Sequence, residues 1–235
     1  MTTRWLLILL LFVGSGFPAL IYQVVWQRSL FTLFGTDSVA TAIIVSAFML
    51  GLGAGSLLGG EISRRTAVPL LKVFAGLEFT TGVFGSVSLP LFEWVGGTAP
   101  TSPVSLFWMS FLLVLAPTAM MGMTLPLLTT YLVRHSGLVG RSVGTLYAAN
   151  TLGSAIACFV AAYTLMPYLG KQKSLLVAAS INVGVGLLVL LLDRWERMQQ
   201  GRRPAALSEL PRASTSLSMP LGMVAAATSG FLSLG

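Results

Sequence analysis

One carboxylate, Glu78, lies inside the apolar stretch 70–82, six positions beyond the nearest basic residue, Lys72. An acid in the middle of an apolar helix is costly, about 2.5–3.5 kcal/mol at a bilayer centre, so it must face inward and find a partner. Two chemistries fit it. It is a proton-carrying or cation-binding acid, or it is a structural acceptor that locks helices together, with Asn150 and Gln23 as candidate donors. Asn150 lies in the run 147–153, ahead of Gly153, Ala157 and Ala161, which place a small residue at every fourth position. That pattern fits an amide beside a close-packed seam, where an interhelical hydrogen bond contributes about 0.6 kcal/mol on average. Asn182 carries the same reading. Tyr22, Gln23, Trp26, Gln27 and Arg28 crowd one end of the first apolar run, with Tyr22 and Trp26, and Gln23 and Gln27, spaced i, i+4. They read either as a vestibule of aromatics and amides for a polar or cationic solute, or as an interfacial belt anchoring a helix end. Asp37 is the candidate partner of Arg28.

A second constellation is built for packing. Gly51, Gly55 and Gly59 recur every fourth residue and end at Glu61, Arg64 and Arg65. On a helix they make a bare stripe on which another helix can pack backbone to backbone, stopped by charge where an apolar span meets water. Pro117 and Pro126 bracket the run 118–125 and read as kink or hinge positions. Other site chemistry has no material in this chain. Cys158 and His135 are single residues of their kinds, so neither a disulfide framework nor a Cys/His metal site is expected, and Cys158 reads as a small buried residue. No strand leads into a glycine-rich phosphate turn, and no catalytic residue is assigned.

The elements that position these groups follow from composition. The chain of 235 residues is 55% hydrophobic and 9% charged, where soluble domains carry about 25% charged residues. This describes an all-α membrane protein. The net charge of +7 does not indicate nucleic acid, because the basic residues sit in short segments between apolar runs. Six spans are expected, at about 5–26, 38–60, 69–91, 104–133, 143–165 and 174–192. The first is too long for a signal-peptide core and reads as an uncleaved span. Residues 1–192 thus form a six-span domain, 193–218 a basic linker, and 219–235 the start of a seventh span that is truncated. With the N-terminus inside, eleven of the 14 basic residues fall on the inner side, among them Arg64, Arg65, Arg134 and Arg141, and only Arg28, Lys171 and Lys173 fall outside. The triplet Ser15-Gly16-Phe17 recurs as Ser229-Gly230-Phe231, at matching depths of the first and seventh runs. That suggests the first half of a two-half transporter plan with parallel repeats.

Four motifs, in order, carry a resemblance: 15–28, from Ser15-Gly16-Phe17 through Tyr22-Gln23-Val24-Val25-Trp26-Gln27-Arg28; 47–60, with the glycine stripe; 117–126, with Met121-Gly122-Met123-Thr124-Leu125-Pro126; and 144–153, with Tyr147-Ala148-Ala149-Asn150. Together they resemble the membrane part of the bacterial fused major-facilitator/spermidine-synthase-like proteins, across nearly the whole chain. The resemblance implies a major-facilitator-like half at the bacterial inner membrane, with the N-terminus cytoplasmic. It also implies a glutamate in the third span, where Glu78 falls, and a following polyamine aminopropyltransferase-like domain that binds an S-adenosylmethionine-type ligand. None of that domain lies within 1–235, so its catalytic residues transfer to no position here. The expected partners are the lipid bilayer, the missing domain or second helical half, and a polyamine or other small cationic solute. The 55–65 stretch resembles the inner loop between spans 2 and 3 of major-facilitator transporters, but has Gly60-Glu61 where an aspartate is usual, so Glu61 is the candidate gating acid. Half of a proton-coupled transporter, or a fragment without function, remain the alternatives.

Overall fold

The computed structural model describes residues 3–65, 67–98, 102–136 and 139–201. Among them the chain is helical and contains no strand. In lipid this is expected, since a helix satisfies its backbone donors and acceptors within one segment. The helices are α1 (Thr3–Phe34), α2 (Asp37–Arg64), α3 (Leu70–Thr98), α4 (Pro103–Ser136), α5 (Val139–Val160) and α6 (Met166–Gly201), with a π-helical turn, Ala161–Leu165, joining the last two. α1 runs eight residues beyond the expected end at Trp26. It stops at Gly35, whose φ of 70° few other residues tolerate and whose N–H donates to Phe31 O at 2.9 Å. α4 stays helical through both Pro117 and Pro126.

Five helices are long and apolar enough to cross a membrane: Leu6–Phe34, Asp37–Arg64, Leu70–Gly97, Val104–Arg134 and Val143–Gln199. This count does not match the expected six plus a truncated seventh. The fifth and sixth expected spans fall within one helical run of 57 residues, because the segment between them, with Lys171-Gln172-Lys173, is itself helical. The run is nevertheless broken at Gly170, where φ is 73° and ψ is 179°. Contacts with α1 give the directions of its two arms. Leu146 on α5 shares a core with Ile8 and Phe12, while Ala157, Ala161 and Leu165 share one with Ile21 and Val25, so this arm runs parallel to α1. On α6, Lys171 reaches Arg28 O and Thr32, and Val185 lies against Gly14, so α6 runs antiparallel.

Two apolar clusters stack along the bundle. One holds Tyr22, Trp26, Ile43, Phe48, Phe92, Val114, Leu165 and Ala178. The other holds Ile8, Phe12, Phe74, Leu127, Leu146, Val185 and Val189. Outward faces carry large apolar side chains, including Leu57 at 75% and Phe159 at 68% exposure, which suits lipid and not water. Cys158, expected to be buried, is exposed, because α5 packs mainly through its Gly153 and Ala157 face. α6 carries helix nine residues into the stretch expected as linker from Asp193, and buries Asp193 and Glu196. The remainder of the linker, the seventh run and Ser229-Gly230-Phe231 lie outside the described residues.

Candidate functional site

Between the two apolar clusters lies a polar layer. Along α1 it falls at Ser15, between Phe12 and Ile21. Along α3 it falls at Glu78, beyond Ala75. Along α6 it falls at Asn182, between Ala178 and Val185. The layer crosses α1 and α6 near their middles and α3 in its first third, so these residues meet although they are far apart in sequence.

Glu78 is 2% exposed. Ser15 Oγ donates to its Oε1 at 2.5 Å and Asn182 Nδ2 donates to its Oε2 at 2.6 Å. The Asn182 Oδ1 in turn accepts from the Tyr22 hydroxyl at 2.8 Å. The chain Tyr22–Asn182–Glu78–Ser15 therefore ties α1, α6 and α3 together. Every arrow points toward the carboxylate, an acceptor with room for about four hydrogen bonds, of which two are taken. No cationic side chain pairs with it among the described residues. The structural partners are thus Ser15 and Asn182, not Asn150 and Gln23 as expected. Those two amides instead line a cavity of about 280 Å³ that Glu78, Asn182 and Ser15 also line. Neither amide hydrogen-bonds another described side chain. Tyr147, Ser154 and Thr124 complete much of its polar wall, and Phe12, Phe48 and Met121 its apolar wall. A small space holding one carboxylate, aromatic faces and two amides with no side-chain partner among the described residues suits a small organic cation.

The aromatic end of α1 differs from both expectations for it. Tyr22 and Trp26 are fully buried and stack with centroids 5.3 Å apart, and Trp26 Nε1 donates to Ser88 Oγ at 2.9 Å. They form neither a solvent-facing vestibule nor an interfacial belt, because α1 continues to Phe34 and carries them into the core. A Cβ on Gly85 would meet the Tyr22 ring at 2.2 Å, so Gly85 makes the space that Tyr22 occupies. Gln27 donates to Thr41 Oγ1 at 2.9 Å. Arg28 and Asp37 are exposed and line a common pocket, but among the described residues they form no ion pair.

The glycine stripe of α2 lies on α4. A Cβ would meet Thr118 Oγ1 at 2.0 Å from Gly51, Ala119 O at 2.0 Å from Gly55, and Met123 at 2.7 Å from Gly59. Gly122 returns the contact from α4, at 2.5 Å from Leu52 O. Gly16 and Gly153 make a second close seam between α1 and α5, where Ser154 Oγ donates to Gly16 O at 3.1 Å. At the end of the stripe, Glu61 pairs with Arg64 of its own helix at 3.4 Å, both being half exposed, while Arg65 is exposed. The contact across helices is made by a residue that spacing gave no reason to single out. Arg134 of α4 donates to Ser63 O at 2.8 Å and Arg65 O at 3.4 Å, a cation on the carbonyl end of α2. Ser154 was not singled out, and Ser15, Tyr147 and Thr124 entered only as members of a repeat or a motif, not as site residues. Small hydroxyls are common in apolar helices, and only aligning the midpoints of alternating helices would have marked them. Among the described residues no group of three or more His, Cys, Asp or Glu could hold a metal ion.

Comparison with known proteins adds a relationship. No family model matches the chain, and no solved structure does. Among curated proteins, the chain is 28% identical over 190 residues to a polyamine aminopropyltransferase of Corynebacterium efficiens, covering 79% of this chain and 35% of that protein. It is 25% identical over 230 residues to that of Mycobacterium tuberculosis, covering 95% and 42%. It is 24% identical over 200 residues to polyamine aminopropyltransferase 1 of Streptomyces coelicolor, covering 85% and 36%. The chain is therefore similar, over most of its own length but well under half of theirs, to proteins named polyamine aminopropyltransferase.

Proposed function

We propose that this chain is the membrane domain of an aminopropyltransferase-related protein, and that the Glu78 cavity binds a small organic cation, a polyamine or its amine precursor. On this reading the run 143–199 crosses the membrane twice, reversing at Gly170, so that six spans form a major-facilitator-like half. The N-terminus and the arginine-rich helix ends lie on the cytoplasmic face of a bacterial inner membrane. The domain anchors a further, soluble aminopropyltransferase-like domain, or delivers substrate to it or removes product from it, and any S-adenosylmethionine-type ligand belongs to that further domain. The observation that carries this is a buried carboxylate between the two apolar clusters, facing a cavity, held by two donors and paired with no cationic side chain among the described residues. Electroneutrality there requires a proton or a cationic ligand, since an isolated buried charge is costly.

A purely anchoring role is favoured by one specific observation. The bonds from Ser15 and Asn182 to Glu78 join three helices. The two readings separate in one experiment. The chain in lipid nanodiscs is titrated with labelled putrescine and spermidine, beside Glu78→Gln. Gln keeps the shape, and Ser15 can reverse its hydroxyl to accept from the new amide, so the fold should hold. Loss of a charged hydrogen bond contributing about 1.5–3 kcal/mol should weaken binding roughly tenfold or more. Equal binding by a well-folded Glu78→Gln protein would refute the cation site and leave the anchoring role.

A further inference from the structure

We propose that the groove between the start of α3 and the end of α6 holds the phosphodiester headgroup of an anionic phospholipid. This rests on residues outside the Glu78 cavity. The groove, of about 520 Å³, is lined by Lys72 from α3 and by Leu187, Leu191, Asp193, Arg194 and Arg197 from α6. Leu187, Leu191 and Arg194 are spaced i, i+4, i+7, so they share one face of α6. That face passes from leucine to arginine where the apolar run gives way to charge. Leu187 is 51% and Leu191 59% exposed, which offers an acyl chain a track leading straight to the basic end.

Among the described residues, the carboxylates at that end have partners other than Lys72 and Arg194. Asp193 is taken up by Arg197, through bonds of 2.9 and 3.3 Å to its two oxygens. Glu196 accepts from the buried Tyr131 hydroxyl on α4. Glu61, at the adjoining end of α2, pairs with Arg64. Lys72 and Arg194 remain, both exposed and neither paired with a carboxylate among the described residues. Two cations flanking an apolar track match a lipid phosphate with its acyl chain. A free phosphate would use the cations but leave the leucines without a role.

The test is thermal unfolding of the chain in neutral detergent. Four additions are compared: phosphatidylglycerol, phosphatidylcholine with the same acyl chains, glycerol phosphate, and inorganic phosphate. At about 100 times its dissociation constant, phosphatidylglycerol should raise the Tm by roughly 5 °C or more, and the other three should not. Lys72→Gln/Arg194→Gln should lose that shift. Lys72→Arg/Arg194→Lys should keep it, as should Lys173→Gln, whose exposed cation lies at the opposite end of α6. Equal shifts from phosphatidylcholine, or a full shift from glycerol phosphate or inorganic phosphate, would overturn the proposal. So would a phosphatidylglycerol shift that survives in the Gln double variant. A shift that follows protein concentration and not lipid would place a second copy in the groove, and would equally overturn it.

Discussion

Gly53 and Gly55 lie two residues apart on α2, and the structure assigns them opposite responses to the same added methyl. A Cβ on Gly53 has nothing within 4 Å. Gly53→Ala should therefore leave stability unchanged or raise it by up to about 1 kcal/mol, the helix-propensity difference between the residues. A Cβ on Gly55 would lie 2.0 Å from Ala119 O and 2.8 Å from Ala119 C, where ordinary contact begins at 3.4 Å. Backbone atoms have no rotamer to move into, so α4 must withdraw by more than an ångström. A gap of 0.5–1 Å already forfeits about a quarter to a half of each dispersion contact, and Gly51, Gly59 and Gly122 share the seam. Overpacking of this kind costs about 1–3 kcal/mol, sometimes more. With the propensity gain set against the upper end of that range, Gly55→Ala should destabilise by about 2 kcal/mol. Unfolding in mixed micelles by increasing sodium dodecyl sulfate, followed by far-ultraviolet circular dichroism, reads both variants on one scale. Equal destabilisation by the two substitutions, or none by either, would refute the assignment of this seam to α2 and α4.

Two further outcomes are expected. Gly170→Ala should cost about 1–3 kcal/mol through backbone strain alone, because φ is 73° there and its Cβ would meet nothing within 4 Å; Gly184→Ala, also in open space but in regular helix, is the control in the same titration. Asn182→Leu should cost about 1–3 kcal/mol by leaving the Tyr22 hydroxyl and one Glu78 oxygen unpaired. Combined with Glu78→Gln its effect should fall short of additivity, because the two residues share one hydrogen bond; additive losses would show that they act separately.

What was legible in the chain was what leaves a local trace. Gly51, Gly55 and Gly59 share a face by spacing alone, and Glu78 is conspicuous because an acid interrupts a run of apolar residues. Their partners left no such trace. Ser15 lies 63 positions from Glu78 and Asn182 lies 104, and nothing in periodicity links residues across that distance. Thr118, Ala119 and Met123 look like any apolar helix until α2 lies on them. The vestibule was misread for a different reason. Gln27 and Arg28 suggested a helix end, but a single polar pair does not terminate a helix whose next turns, through Phe34, again find apolar neighbours. The fifth and sixth spans were separated in the sequence at 166–173, and the non-helical backbone of Gly170 falls within that stretch.

The two glycine seams also bear on why a cavity exists at the height of Glu78. Where α2 meets α4 and α1 meets α5, backbones touch at Gly55 and Gly153, so no side chain of either pair fits between the partners there. Residues beside each seam project away from it, and Gln23, Leu52, Met121, Asn150 and Ser154 line one common space. Apolar residues close that space above and below as the two core clusters, but α3 and α6 supply Glu78 and Asn182 at its level. The polar layer is thus bounded by seams that resist separation, since each is a backbone contact without a compressible side chain. A ligand drawn to Glu78 would find walls largely formed in advance, and its binding free energy would not be spent on opening them. The same rigidity confines any response to binding to displacement of one helix pair relative to the other. The hydrogen bonds from α1 and α6 to Glu78 are the contacts such a displacement would have to alter.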